Sequence, residues 1–193
     1  MIFGLLIGLL IALTTATTEQ FTTNNRQVSA SWSVCDSCKC DYSYVYAFEQ
    51  STANPPEPNP PVYLYYSHSS YNNCNYTYSY EWYQNTAPVP GLEISRSGRS
   101  AELIVNNLTD SVGQSLAMSL SFSTADSNNQ NNCNCKSSYS YGAESIRTTS
   151  KSAYRNAQVT GSVTINGIVQ TLPNDASGYI HSHGQKTIVL QHH

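Results

Sequence analysis

Apolar and polar positions alternate along most of this chain, and the period is two. In "CNYTYSYEWY", Cys74, Tyr76, Tyr78, Tyr80 and Trp82 take every second place, with Asn75, Thr77, Ser79 and Glu81 between them. Successive side chains of a strand point to opposite faces, so the pattern predicts a β-strand with all its rings on one side. "CDYSYVYAF" repeats it with Cys40, Tyr42, Tyr44, Tyr46 and Phe48, and "CKSSYSYGA" with Cys135, Tyr139 and Tyr141. Tyr favours strands and can lay its ring over a core while its hydroxyl reaches water. The ladders are therefore expected to line a core. The alternative is exposed rows that bind sugar or a neighbouring subunit.

The rest of the chain follows the same period. "TEQFTTNNRQVSASWSV" predicts one long or two short strands ending at Cys35. "VYLYYS", "LEIS", "AELIVNNL", "SLAMSLSFS", "AQVTGSVTINGIVQTL" and "GYIHSHGQKTIVLQ" predict further strands. Turn-rich stretches separate them, and Asn166-Gly167 is a strong hairpin signal. Residues 54–61, "NPPEPNPP", hold five prolines, which fix φ and remove amide donors, so they predict a stiff connector. Only the first 13 residues read as a helix. The expectation is an all-β fold, a disulfide-stapled β-sandwich of immunoglobulin-like or jelly-roll-like kind. It occupies residues 19–193 as one domain, behind a hydrophobic segment at 1–18.

Composition narrows the function. Charged residues make up 11% of the 193, against about 25% in ordinary soluble domains, and Ser, Thr, Asn and 15 Tyr replace them. The surface is neutral and hydroxyl-rich. Nine Lys and Arg, scattered, with a net charge of −3, form no basic stripe for phosphates, which excludes nucleic acid as a partner. Residues 1–18 carry an apolar run from Ile2 to Leu13 followed by small residues, the pattern of a secretory signal cut after Ala16. No Lys or Arg precedes that run, so retention as an anchor or assembly helix is the alternative. Either way the protein is expected outside the cell or on its surface.

Six cysteines, Cys35, Cys38, Cys40, Cys74, Cys133 and Cys135, stand in clusters at the heads of Tyr strands. An even count in an exported chain predicts disulfides that staple strand ends, in a pairing that sequence leaves open. Zinc held by "CDSCKC" and "CNC" is the lesser reading. His181 and His183 share one strand face and are weak metal candidates, and His192 and His193 close the chain. Asn75 in "NYT" and Asn107 in "NLT" are glycosylation acceptors. Asn75 is expected on a strand with its side chain toward solvent, and Asn107 at a strand end. No catalytic elbow, zinc-protease helix, phosphate loop or nucleotide fingerprint occurs, and the 12 carboxylates are dispersed. The expectation is a protein that is not an enzyme and holds no cofactor.

From Tyr80 to Phe122 the chain resembles immunoglobulin-like or PKD-like extracellular domains. "YEWYQN" looks like a strand C with its core tryptophan at Trp82, and "SAELIVNNLTDSVGQ" looks like strand E and the corner after it. Where an antibody-type domain has its corner tyrosine and second cysteine, this chain has Ser115 and Ala117, so the usual inter-sheet bridge is absent. The layout, a short hydrophobic segment before a Ser/Thr-rich β domain, is similar to archaeal-type pilins and related filament subunits. What these resemblances imply is an extracellular structural protein, a homopolymer-forming subunit of a pilus-like filament or surface layer assembled through its N-terminal segment. The stretch before Cys35 would leave its own fold and complete a neighbour's, or else pair within its own sheet. The alternative is a secreted or anchored adhesive module that binds glycans or a cell surface through exposed Tyr and Asn.

Overall fold

The computed structural model describes residues 17–51, 61–85, 92–94, 99–109, 113–124, 129–141 and 144–191. Most of the hydrophobic leader, the connector save Pro61, and His192 and His193 lie outside the described residues. Eleven strands follow in chain order: β1 Thr17–Cys35, β2 Lys39–Ser51, β3 Val62–Asn72, β4 Thr77–Asn85, β5 Leu92–Ile94, β6 Ser100–Thr109, β7 Ser115–Ser123, β8 Asn129–Tyr141, β9 Glu144–Ile165, β10 Ile168–Thr171 and β11 Ser177–Gln191.

The all-β expectation holds, and every strand joins one antiparallel sheet. Its order is β4-β3-β2-β1-β11-β9-β7-β6-β5, with β8 and β10 added beside β9. The long strand β9 makes this possible. Its first half lies between β8 and β11, and its second half between β7 and β10. That first half, "ESIRTTSKSAYRN", shows no clean alternation, and sequence reading finds no strand in it. It is held by neighbours on both sides instead. The Asn166-Gly167 turn forms as expected, with φ of 49° and 81° and Ile165 opposite Ile168. Asn166 fixes it to β7 by accepting from the Ser115 amide at 2.9 Å and donating its own amide to the Ser115 carbonyl at 2.9 Å.

The core lies on one face of this sheet. Val28 and Ala30 of β1, Val45 and Ala47 of β2, Leu64 of β3 and Ile180 of β11 face it from one half. Val159 and Val163 of β9, Leu120 and Phe122 of β7, and Leu103 and Val105 of β6 face it from the other, and all belong to one cluster. The sheet curls over that cluster. The two layers expected of a sandwich are thus two halves of one folded sheet rather than two separate sheets. Two glycines allow the close approach: a Cβ on Gly178 would overlap the Ser29 carbonyl of β1, and one on Gly161, at φ 132°, the Ser119 carbonyl of β7.

Two expectations meet the structure here. Strand β1 pairs with β11 from Thr17 to Ser31 and with β2 from Asn24 to Cys35, so of the two readings of this segment the one observed within the chain is pairing in its own sheet. The aromatic ladder of β4 does not line the core. Tyr78, Tyr80 and Trp82 are 66%, 50% and 57% exposed, and the core tryptophan is Trp32. The physical reason is the register: on β2 and β3 Val45, Ala47, Leu64 and Tyr66 take the inner face, and on β4 it is Tyr83, opposite Tyr66, that packs against them, so the other parity, Tyr78, Tyr80 and Trp82, faces out.

Candidate binding face

All six cysteines are paired, as Cys35–Cys40, Cys38–Cys74 and Cys133–Cys135. Cys35 and Cys40 stand opposite each other at the end of the β1–β2 hairpin, and Cys38–Cys74 ties that turn to the β3–β4 turn. Such bridges are those of a protein that matures in an oxidising compartment. The Asp36 carboxylate caps the first turn, accepting from the Cys38 and Lys39 amides at 2.8 and 2.6 Å, and those bonds hold it below its ordinary pKa. With both turns pinned, β2, β3 and β4 keep one register, and their outward residues fall into rows.

Two of these rows run Tyr44–Ser67–Trp82 and Tyr42–Ser69–Tyr80, so rings on the outer strands flank serines on the middle one. At about 4.8 Å per strand the flanking backbones stand roughly 10 Å apart. Tyr65 leans between them. Its ring centroid lies 6.3 Å from that of Tyr44, and its hydroxyl is 2.8 Å from that of Tyr80. That bond is the main cause raising the Tyr80 pKa. Phe48 stacks on Tyr63 at 4.8 Å and lies 5.6 Å from Tyr46, which extends the aromatic surface toward the other end of β2.

Across β1 the face turns polar. The Tyr46 hydroxyl donates to Gln27 Oε1 at 2.6 Å, and Gln27 Nε2 donates to Nδ1 of His181. Tyr154 packs beside His181, with ring centroids 6.2 Å apart, and against Tyr179 at 4.9 Å. Burial, and then the neighbouring His183, holds His181 below its ordinary pKa. Burial and the nearby Tyr179 raise the phenols of Tyr44, Tyr46 and Tyr154, so all three stay protonated at neutral pH. Beside this patch runs an open groove of about 1020 Å³, lined among others by Ser29, Ser31, Tyr44, Asn156, Gln158 and Tyr179. A smaller one of about 440 Å³ adjoins it, sharing Ser31, Tyr44, Asp175 and Ser177 and reaching Ser67 and Ser69. Hydroxyls, amides and ring faces thus meet on one surface.

The other sequence candidates are elsewhere or differently placed. His181 and His183 do share a face, and among the described residues no third His, Cys, Asp or Glu joins them as a metal-binding group. Asn75 is in the exposed β3–β4 turn rather than on a strand, where its Oδ1 accepts from the Thr77 hydroxyl at 2.7 Å and amide at 3.3 Å. Asn107 lies inside β6 at a bulge between Val105 and Leu108, exposed and at φ 43°, rather than at a strand end. Gln27 went unnoticed in the sequence. The only signal for it was its parity, on the face of β1 opposite Val28 and Ala30.

No protein-family model and no curated protein sequence matches the chain. Among solved structures it is similar to an AttH-type protein of Nitrosomonas europaea, at 11% identity over 88% of this chain and 52% of that one, with a TM-score of 0.34. It is also similar to kievitone hydratase of Nectria haematococca, at 13% identity over 82% of this chain and 47% of that one, again with a TM-score of 0.34. The chain spans about half the length of these proteins. One of them is an enzyme by name, and with that finding the expectation that this chain is no enzyme is withdrawn. At such a TM-score the likeness assigns no reaction.

Proposed function

We propose that this protein is an exported binding module whose outer aromatic face docks an uncharged glycan. The observation that carries the reading is the placement of Tyr42, Tyr44, Tyr80 and Trp82 on one exposed surface with Ser67 and Ser69 between them. The C–H face of a pyranose bears a slight positive potential and is attracted to the negative face of an aromatic ring. The serine and tyrosine hydroxyls, with the Asn and Gln amides of the groove, supply hydrogen-bond partners for equatorial hydroxyls. A chain of 15 tyrosines and few charges suits a neutral ligand. Three disulfides agree with a site of action outside the cell or at its surface. The test is binding of the purified protein to a panel of neutral oligosaccharides, followed by the Tyr80→Ala/Trp82→Ala double variant. Binding that disappears in this folded variant supports the reading. Binding that is unchanged in it, or no binding by the parent protein, overturns it.

A second reading, a homopolymeric subunit of a surface filament or layer, draws on one feature. Among the described residues β8 pairs with β9 alone, and an open strand edge can add a strand from another copy. Sedimentation and electron microscopy of the native protein, with and without residues 1–16, test it. Ordered polymers lost on truncation favour assembly through that segment, and polymers that persist favour the β8 edge.

A further inference from the structure

Resting on the glycan reading, we propose that Tyr46, Gln27 and His181 form a polarity relay in the binding face, one that sets it to receive an uncharged, hydroxyl-bearing ligand. The relay crosses three strands, β2, β1 and β11, and its hydrogen bonds leave little choice of proton positions. Tyr46 donates to Gln27 Oε1, which orients the amide so that its Nε2 donates to His181 Nδ1. A nitrogen that accepts carries no proton, so His181 is neutral with its proton on Nε2. Outward, then, the Tyr46 oxygen can only accept and His181 Nε2–H can only donate. A sugar hydroxyl, which both donates and accepts, fits that pair. A carboxylate, which only accepts, meets a lone-pair-bearing oxygen at Tyr46.

Protonating His181 reverses the chain. Nδ1 gains a hydrogen and becomes a donor, so the Gln27 amide must flip to offer Oε1 in place of Nε2. The flipped Nε2 then points at the Tyr46 oxygen, which must accept, and the Tyr46 proton turns outward. The same three side chains now present donors only, beside a positive charge, and suit a carboxylate. The groups that face His181 are His183 on its own strand, Tyr154 on β9 and Gln27 on β1, with Tyr46 on β2 behind Gln27, and Tyr44 and Tyr179 further along the face. Among the described residues in the registers from Asn25 to Ser31 this face carries no Asp, Glu, Lys or Arg, and the carboxylate beside it is Asp175, which lines the adjoining groove with Ser31, Tyr44 and Ser177. His183 is the one other imidazole there, and burial, then that neighbour, favours the unprotonated His181.

The test separates the relay from the ligand. In NMR of the whole protein, the imidazole nitrogens of His181 should show the Nε2–H form at neutral pH. On acidification the Gln27 side-chain amide and the Tyr46 ring should shift with the midpoint of His181. In Gln27→Met the Tyr46 shift should no longer follow His181. In Tyr46→Phe, which keeps the ring, Gln27 should still follow it. An Nδ1–H tautomer, or a Tyr46 shift that follows His181 equally in Gln27→Met, overturns the relay. If Gln27→Met does not fold, the tautomer and the shared midpoint in the parent protein decide. Oligosaccharide binding is then measured above and below that midpoint with a neutral glucan hexamer and a hexamer of uronic acid. Preference for the neutral chain above the midpoint, reduced about tenfold or more below it, is the expected result. Saccharide binding whose preference ignores the midpoint overturns this inference and leaves the glycan reading standing. A working relay in a protein that binds neither probe nor any panel sugar overturns the glycan reading, and with it the ligand assigned here.

Discussion

The chain has two tryptophans, and they end on opposite faces of one sheet. Trp32 of β1 is 8% exposed, packed 6.4 Å from Tyr66 in the core, whereas Trp82 of β4 is 57% exposed among the outward tyrosines. The same division runs along β2, where Val45 and Ala47 are fully buried and Tyr44 and Tyr42, one and three residues before Val45, stand on the surface. Size therefore does not decide which residue goes inside. A sheet that curls on itself has limited room on its inner side, and beside Trp32 the strands β1 and β2 fill theirs with Ala and Val, while the far half contributes Phe122, Leu103 and Leu120. The outer side has room for rings, and Tyr tolerates it because a ring can lie on its neighbours while the hydroxyl stays wet.

The sharpest way to break this contrast is at its buried pole. Trp32→Ala and Phe122→Ala should each cost about 3 to 5 kcal/mol in urea unfolding, because each leaves a cavity in a core shared by both halves of the sheet. A cost near that of an exposed residue would mean that the two halves do not pack as one unit.

Next come the bridges that hold the outward rows in register. The loop closed by Cys38–Cys74 spans 36 residues, and the entropy argument gives roughly 3 to 4 kcal/mol for its removal. Cys133–Cys135 closes a separation of 2 and should matter far less. Thermal melts of Cys38→Ser/Cys74→Ser beside Cys133→Ser/Cys135→Ser test the order, and equal losses would contradict it.

Glu49 sharpens the contrast from another side, since it is a carboxylate on the core face of β2. Burial raises its pKa, and Arg26, whose Nε lies 3.5 Å away, pulls it back only in part. A raised folded-state pKa means that the native protein holds this proton more tightly than the unfolded chain does. Stability should therefore increase as pH falls through the folded-state pKa toward the ordinary carboxylate value of 4.5, and be lost again on the way up. In Glu49→Gln this dependence should vanish, and stability at neutral pH should stay level or rise by about 1 kcal/mol or less. Denaturant midpoints of both proteins across that pH range measure it. A variant that is weaker at every pH would show that the pair with Arg26 stabilises more than burial costs.

Much of the fold is legible in the sequence, and the exceptions have physical causes. The period of two is set by the backbone, so strands such as β3, β6 and β7 and the Asn-Gly hairpin can be read directly. The side a strand buries is not fixed by period alone. On β2, "YVYAF" has an apolar or aromatic residue at every place, so either parity could face the core: the larger ring area favours one, and the readily buried Val45 and Ala47, which the structure buries, favour the other. The first half of β9 could not be read, because its Ser, Thr and Lys are ordered by β8 and β11 rather than by a face of their own. Gln27 is invisible for a similar reason: its partners Tyr46 and His181 are 19 and 154 residues away, and only the sheet order brings them together.

The smallest effect expected on stability is the most telling for function. Trp82 is more than half exposed and is not a member of the buried cluster, so Trp82→Ala should change unfolding free energy by no more than about 0.5 kcal/mol, as at other surface positions. The same substitution should weaken binding to a neutral oligosaccharide several-fold, because stacking on an aromatic ring supplies about 0.5 to 1.5 kcal/mol beyond simple burial. The two measurements together separate the possible roles of the ring. A stable variant with lost binding places Trp82 in the contact surface. A variant that loses stability as Trp32→Ala does would put the ring in a second core, as the alternation alone suggests, and the division between the two faces would have to be redrawn. A variant unchanged in both would take β4 out of the binding face and shift the site across β2 toward the groove lined by Ser29, Ser31 and Tyr179.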